Sequence, residues 1–112
     1  MTAPRLSRRL ILKAPTRQPD GAGGFTRGWT ALGALWAEVA PGTPRVTAQP
    51  GLAEARLPLR ITLRGAPVGA PSRPVAGQRF RDGARIYAID SVNESDLGGR
   101  FLLCLSHEEA AL

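Results

Sequence analysis

Residues 56–64 read Arg56-Leu57-Pro58-Leu59-Arg60-Ile61-Thr62-Leu63-Arg64. Leu57, Leu59, Ile61 and Leu63 alternate with Arg56, Pro58, Arg60, Thr62 and Arg64. This period of two predicts a strand with one buried face and one arginine-rich face. Arg56, Arg60 and Arg64 then project the same way, about 13 Å from one to the next. Proline lacks the N–H that a ladder needs, so Pro58 predicts that part of this strand has a free edge.

Upstream, Leu6, Leu10 and Leu12 share one parity and Ser7, Arg9 and Lys13 the other, with Ile11 the exception. Residues 5–13 therefore read as a half-buried strand, which Pro15 is expected to end. Residues 18–24 (QPDGAGG) form a turn. Between Phe25 and Ala40 the apolar positions 25, 29, 32, 36 and 39 fit a helical face on paper. Gly28, Thr30 and Gly33 weigh against a long helix, so two strands are expected, 25–30 and 34–40. Residues 41–55 (PGTPRVTAQPGLAEA) form a long proline-rich connection with room for a helical turn at 52–55.

Downstream, residues 65–78 form a second Gly/Pro loop. Residues 79–92 (RFRDGARIYAIDSV) read as a hairpin turning at Asp82-Gly83, and residues 93–99 as a polar turn. Residues 100–106 (RFLLCLS) form a last strand, apolar on both faces and therefore central or covered. The tail, HEEAAL at 107–112, is expected to fray. Trp29, Trp36, Phe80 and Phe101 are expected in the core. The sum is all-β: a small antiparallel barrel or sandwich of five to six strands with long Gly/Pro-rich loops. Its 112 residues make a single domain, 1–112.

Composition narrows the function. No apolar run is long enough to span a membrane as a helix, and the basic start is too interrupted for a signal peptide. One cysteine, Cys104, allows neither an internal disulfide nor a Cys-rich metal cluster. It is expected to be a buried, inert thiol. His107, the one histidine, is expected to be a solvated tail residue. Asp82, Asp90, Glu94 and Asp96 cluster around one hairpin, but turn and loop chemistry accounts for them. The glycines at 21–24 lack the Lys-Ser/Thr of a phosphate loop. No catalytic residue, metal site or cofactor is expected. The net charge is +6, and every basic residue except Lys13 is arginine. Such a surface suits an acidic partner, either nucleic acid or protein.

In order and spacing these segments resemble the head–tail joining proteins of long-tailed phages, also called head-closure or stopper proteins. The likeness is closest to the version in bacterial gene transfer agents. It rests on RLSRRLILKAPT, the DGAGG turn, Trp29, the Trp36-Ala37-Glu38-Val39 segment, RITLR at 60–64, RFRDGARIYAIDSV and LLC at 102–104. It spans roughly residues 5–105. The resemblance implies a β-barrel subunit of a homo-oligomeric ring of six or twelve copies. That ring would lie below the portal and adaptor rings and above the tail-terminator and tail-tube ring, with DNA passing through its channel. It implies a place at the head–tail interface of a phage-like particle, assembled in the bacterial cytoplasm.

A long loop plugs the channel in some members. The matching position here is 41–55, with Pro44, Arg45, Val46, Thr47, Gln49 and Leu52 as candidate channel residues, and 65–78 comes second. Candidate contacts to ring or partner subunits are Arg56, Arg60 and Arg64, with Arg8 and Arg9 of the first strand. Phosphate contacts would add drag to DNA that must slide, so acidic protein faces are the expected partners of these arginines. The alternative function is a free-standing basic β-barrel that binds nucleic acid.

Overall fold

The computed structural model describes residues 3–42, 45–49, 52–56, 58–96 and 98–109; for 45–49 and 52–56 it describes the backbone. Every regular element among these residues is a strand. They are β1 (Arg8–Pro19), β2 (Phe25–Pro41), β3 (Arg45–Gln49), β4 (Leu52–Arg56), β5 (Pro58–Arg64), β6 (Arg79–Asp82), β7 (Arg85–Glu94) and β8 (Phe101–Glu109). Six of them close an antiparallel barrel in the order β1-β2-β5-β8-β7-β6, while β3 and β4 pair as a separate hairpin. The all-β barrel expected from the sequence is therefore the observed architecture.

Alternation builds the core. Leu10 and Leu12 of β1, Ala37 of β2, Ile61 and Leu63 of β5, and Phe80 of β6 point inward. Tyr87 and Ile89 of β7 and Leu102 and Cys104 of β8 complete the interior. Ser106, the buried polar side chain, directs its hydroxyl to the Cys104 carbonyl at 3.4 Å. The parity read from residues 59–64 holds, with Arg60 and Arg64 exposed outside. The β6–β7 hairpin closes on the two residues Gly83 and Ala84, with Asp82 opposite Arg85 and Gly83 at φ 62. Only glycine takes that left-handed conformation cheaply.

Several expectations are corrected. The stretch 56–64 is not one strand: Arg56 ends β4, and β5 starts at Pro58. Pro58 does not mark a free edge, because β5 pairs with β2 and β8. It occupies the first position of its strand, where a missing N–H is tolerated. The expected helical turn at 52–55 is strand β4. Pro15 does not end β1, since it sits opposite Trp29 beyond the point where β6 stops pairing. There β1 has an unpaired edge, and a proline costs no ladder bond.

The two strands expected over 25–40 are one strand of 17 residues. It is carried through by a bulge opposite Leu12/Lys13, next to Gly33 at φ 148. The tail residues 107–109 extend β8, held by register with residues 86–88 of β7. His107 is accordingly half-buried in a strand rather than solvated in a tail.

Candidate interaction surface

The closed barrel has a polar cap at one mouth and a long ribbon leaving its side. The cap is built from residues that continue the inward parity past the apolar core. Arg8, two residues before Leu10, pairs with Asp82, two residues after Phe80. The Tyr87 hydroxyl donates to the same Asp82 carboxylate at 3.2 Å. Arg85 lies over the Tyr87 ring, 5.3 Å from its centroid, and donates two bonds of 2.8 Å to Glu108. Burial and the Asp82 charge push the Tyr87 phenol above its ordinary range. The Arg85 contact holds Glu108 below the usual carboxylate range. At the other end, Arg100 and the Phe101 N–H do the same for Asp96.

These directions set a pH profile. Glu108 and Asp96 are depressed in the folded state. Their contribution is full above the ordinary carboxylate values of 4.5 and 3.8 and is lost as pH falls through the lower folded values. Tyr87 is raised. The unfolded chain therefore ionises first, and stability falls as pH rises past the ordinary phenol value of 10.0. Urea midpoints measured across pH should form a plateau near neutrality that declines on both sides. Both acidic pairs are solvent-exposed, so the acid limb should be shallow. A midpoint that rose on acidification would contradict these pairings.

The ribbon is the distal part of the β1–β2 hairpin. Strand β6 reaches only Lys13, and β5 pairs β2 only over 37–41, so residues 14–19 and 25–30 pair solely with each other. At the usual rise this two-stranded arm runs about 20 Å past the barrel. Asp20 closes its tip by accepting the N–H groups of Ala22 and Gly24 at 2.8 and 3.0 Å.

Trp29 and Trp36 are not core residues. They are 38% and 57% exposed, Phe25 is 57% exposed and Leu32 37%. Cross-strand partners place Trp36 beside Arg9, Trp29 beside Pro15, Arg27 beside Arg17 and Phe25 beside Pro19, all on one face. The bulge at Leu32 makes this possible. Positions 29 and 36 differ by an odd number, so a regular strand would send them to opposite faces. Arg17 covers the Phe25 ring at 4.3 Å, and Arg79 covers Trp29 at 3.7 Å. Phe80 is fully buried as expected, and Phe101 is half-buried.

The other residues singled out in the sequence fall as follows. Arg8 is committed to Asp82 within the chain, whereas Arg9, Arg60 and Arg64 are outward and reach no carboxylate among the described residues. Arg56 lies on β4, opposite Arg45. Arg45, Val46, Thr47, Gln49 and Leu52 fall on the β3–β4 hairpin. The side chains of these five and of Arg56 lie outside the described residues, as does Pro44 altogether. The sequence missed the exposed aromatic face, although the helix-like spacing 25, 29, 32, 36 was its trace. Asp90 and His107 meet at 2.8 Å across the β7–β8 ladder, where β7 carries a bulge. Burial pushes the Cys104 thiol up to about 12, so it stays protonated and unreactive.

The family model described as phage head completion protein matches residues 1–109. A chain in the solved structure titled "Virion of native gene transfer agent (GTA) particle" is 44% identical. That likeness covers 98% of this chain and 100% of the other, with a TM-score of 0.79. No curated protein matches the chain.

Proposed function

Because the chain belongs to the phage head completion protein family, we propose that it is a stopper, a structural head–tail connector subunit of a phage-like particle. Its copies, six or twelve, form a ring beneath the portal and adaptor rings. The ring closes the DNA exit channel after packaging and presents the surface on which the tail docks. The whole chain, 1–112, acts as one domain in this role, and the role is structural rather than enzymatic. The observation that carries the reading is the full-length, 44% identical likeness to a chain of a gene transfer agent virion.

The architecture supports it in two ways. The six-stranded ladder is closed, so the open strand edges lie on the projections, the β1–β2 ribbon and the β3–β4 hairpin, and copies associate through outer faces and these projections. The long connection after β2 is a hairpin, β3–β4, outside the barrel sheet. A hairpin holds its shape better than an irregular loop and suits an element that must obstruct a channel. Arg60 and Arg64, exposed outside β5, are then contacts to acidic faces of the adaptor ring above or the tail ring below.

Electron microscopy of particles from a strain lacking the gene tests the reading. Tails separate from heads, with many heads emptied of DNA, are expected. Normal tailed particles would overturn it and leave a free basic barrel that binds nucleic acid.

A further inference from the structure

The chain's carboxylates and cations are unevenly matched. Asp82, Asp90, Glu94, Asp96, Glu108 and Glu109 each meet a basic side chain of the same molecule. Asp20 is spent on its own turn, and Glu38 accepts the Arg5 N–H at 2.7 Å. On the outer face of the β1–β2 hairpin, by contrast, Arg9, Lys13, Arg17 and Arg27 reach no carboxylate among the described residues. Arg17 and Arg27 stand directly opposite each other. Like charges at that position repel and weaken the ribbon. The same face exposes Phe25, Trp29 and Trp36. It is therefore apolar enough to bind, and it is cationic: its four basic side chains outnumber Glu38, two residues from Trp36, and Asp20 at the tip, each of which accepts backbone N–H groups.

We infer that this face docks an acidic, apolar-bearing surface of a different protein subunit of the particle. The inference rests on the reading of the chain as a particle subunit. A second copy of this chain fits poorly, because the chain carries a net charge of +6 and six of its described carboxylates already meet basic side chains. Nucleic acid fits less well than protein. Base stacking needs an open ring face, and guanidinium groups cover Phe25 and Trp29. Exposed tryptophan, phenylalanine and arginine are the side chains that dominate protein–protein contacts. An acidic partner also removes the repulsion between Arg17 and Arg27.

Two measurements test this. In the first, Trp36→p-benzoylphenylalanine is incorporated in cells making the particle, and purified particles are irradiated. A covalent adduct to another particle protein, mapped to an acidic segment, is expected. An adduct of twice the chain's mass, an adduct removed by nuclease, or no adduct from particles that contain the variant would each overturn the inference. In the second, R17E/R27E should fold normally by circular dichroism yet be recovered in particles at about a tenth of the wild-type level. Wild-type recovery of the folded variant would overturn it too. Failure of the stopper reading shows differently: the wild-type chain itself would be missing from purified particles, and the docking surface would fall with it.

Discussion

Phe80→Ala should lower the melting temperature by well over ~10 °C. Strand β6 has four residues and is the shortest in the barrel, yet it joins β7 to β1 and so closes the ring of strands. Of its four side chains only Phe80 is fully buried. It stands opposite Leu12 on one side and Tyr87 on the other, both in the core. Truncation removes the apolar contact on both sides of the seam and leaves a cavity between strands that have no other buried partner there. A buried Phe→Ala change costs about 3–5 kcal/mol, against a total of roughly 5–15 kcal/mol for a natural domain. Each kcal/mol moves the midpoint by about 4–8 °C in a domain of this size. Thermal melts by circular dichroism give the midpoint. Amide exchange should quicken first over residues 11–13 and 79–82, where the seam lies. Val68→Ala, at an exposed loop position, should leave the melt unchanged. A Phe80→Ala midpoint within a few degrees of wild type would mean that β6 is not the closing strand.

What the sequence could reveal follows from which forces are local. Alternation over 59–64 and the Asp82-Gly83 turn are local signals, and both reappear in the structure. Strand length is not local. Pro15 looked like a stop because a proline in a paired strand loses a ladder bond. It is tolerated because β6 ends two residues earlier, which is a fact about another strand. Residues 107–109 looked like a tail because nothing nearby holds them. They are held by β7, where Arg85 meets Glu108 and residue 86 pairs with residue 109.

The aromatic face is the clearest case of a signal read in the wrong frame. Large aromatics in a short chain are ordinarily core residues, and Phe80 obeys that rule. Trp29 and Trp36 do not, because the barrel interior is already filled from six strands. Trp29 lies on the ribbon that leaves the barrel, and Trp36 lies on the outer face of β2 beside the core residue Ala37. Their shared face depends on one bulge, which period counting cannot anticipate. The arginine face of residues 56–64 proved shorter than its pattern, since Arg56 pairs with Arg45 on the β3–β4 hairpin while β5 starts at Pro58. Arg60 and Arg64 remain outward, so the basic surface was legible even where the element boundary was not.

Gly65→Ala is the second large effect, and its cause is backbone meeting backbone. Gly65 follows β5 and donates its N–H to the Arg100 carbonyl at 2.7 Å, where the chain enters β8. A Cβ built on Gly65 would fall well inside contact distance of the Gly99 carbonyl oxygen. It would also lie 3.2 and 3.3 Å from the Gly99 and Arg100 carbonyl carbons. None of these atoms can swing away as a side chain would. Gly99 is itself fixed at φ 65. The methyl group must therefore push apart the exit of β5 and the entry of β8, two strands that pair along seven residues from Pro58–Arg64. Overpacking costs about 1–3 kcal/mol, and loss of the Gly65 hydrogen bond adds roughly 1 kcal/mol. The midpoint should drop by about 8 °C or more. Gly98→Ala is the matched control, because its nearest neighbours are side-chain atoms at 3.6 Å and beyond. It should melt like wild type. The displacement would also reach the loop at 65–78, which is tied back to this crossing by Arg73 donating to the Ala66 carbonyl at 2.9 Å. If Gly65→Ala and Gly98→Ala melt together, the crossing has room for a methyl group, and the glycine is not what sets where that loop departs.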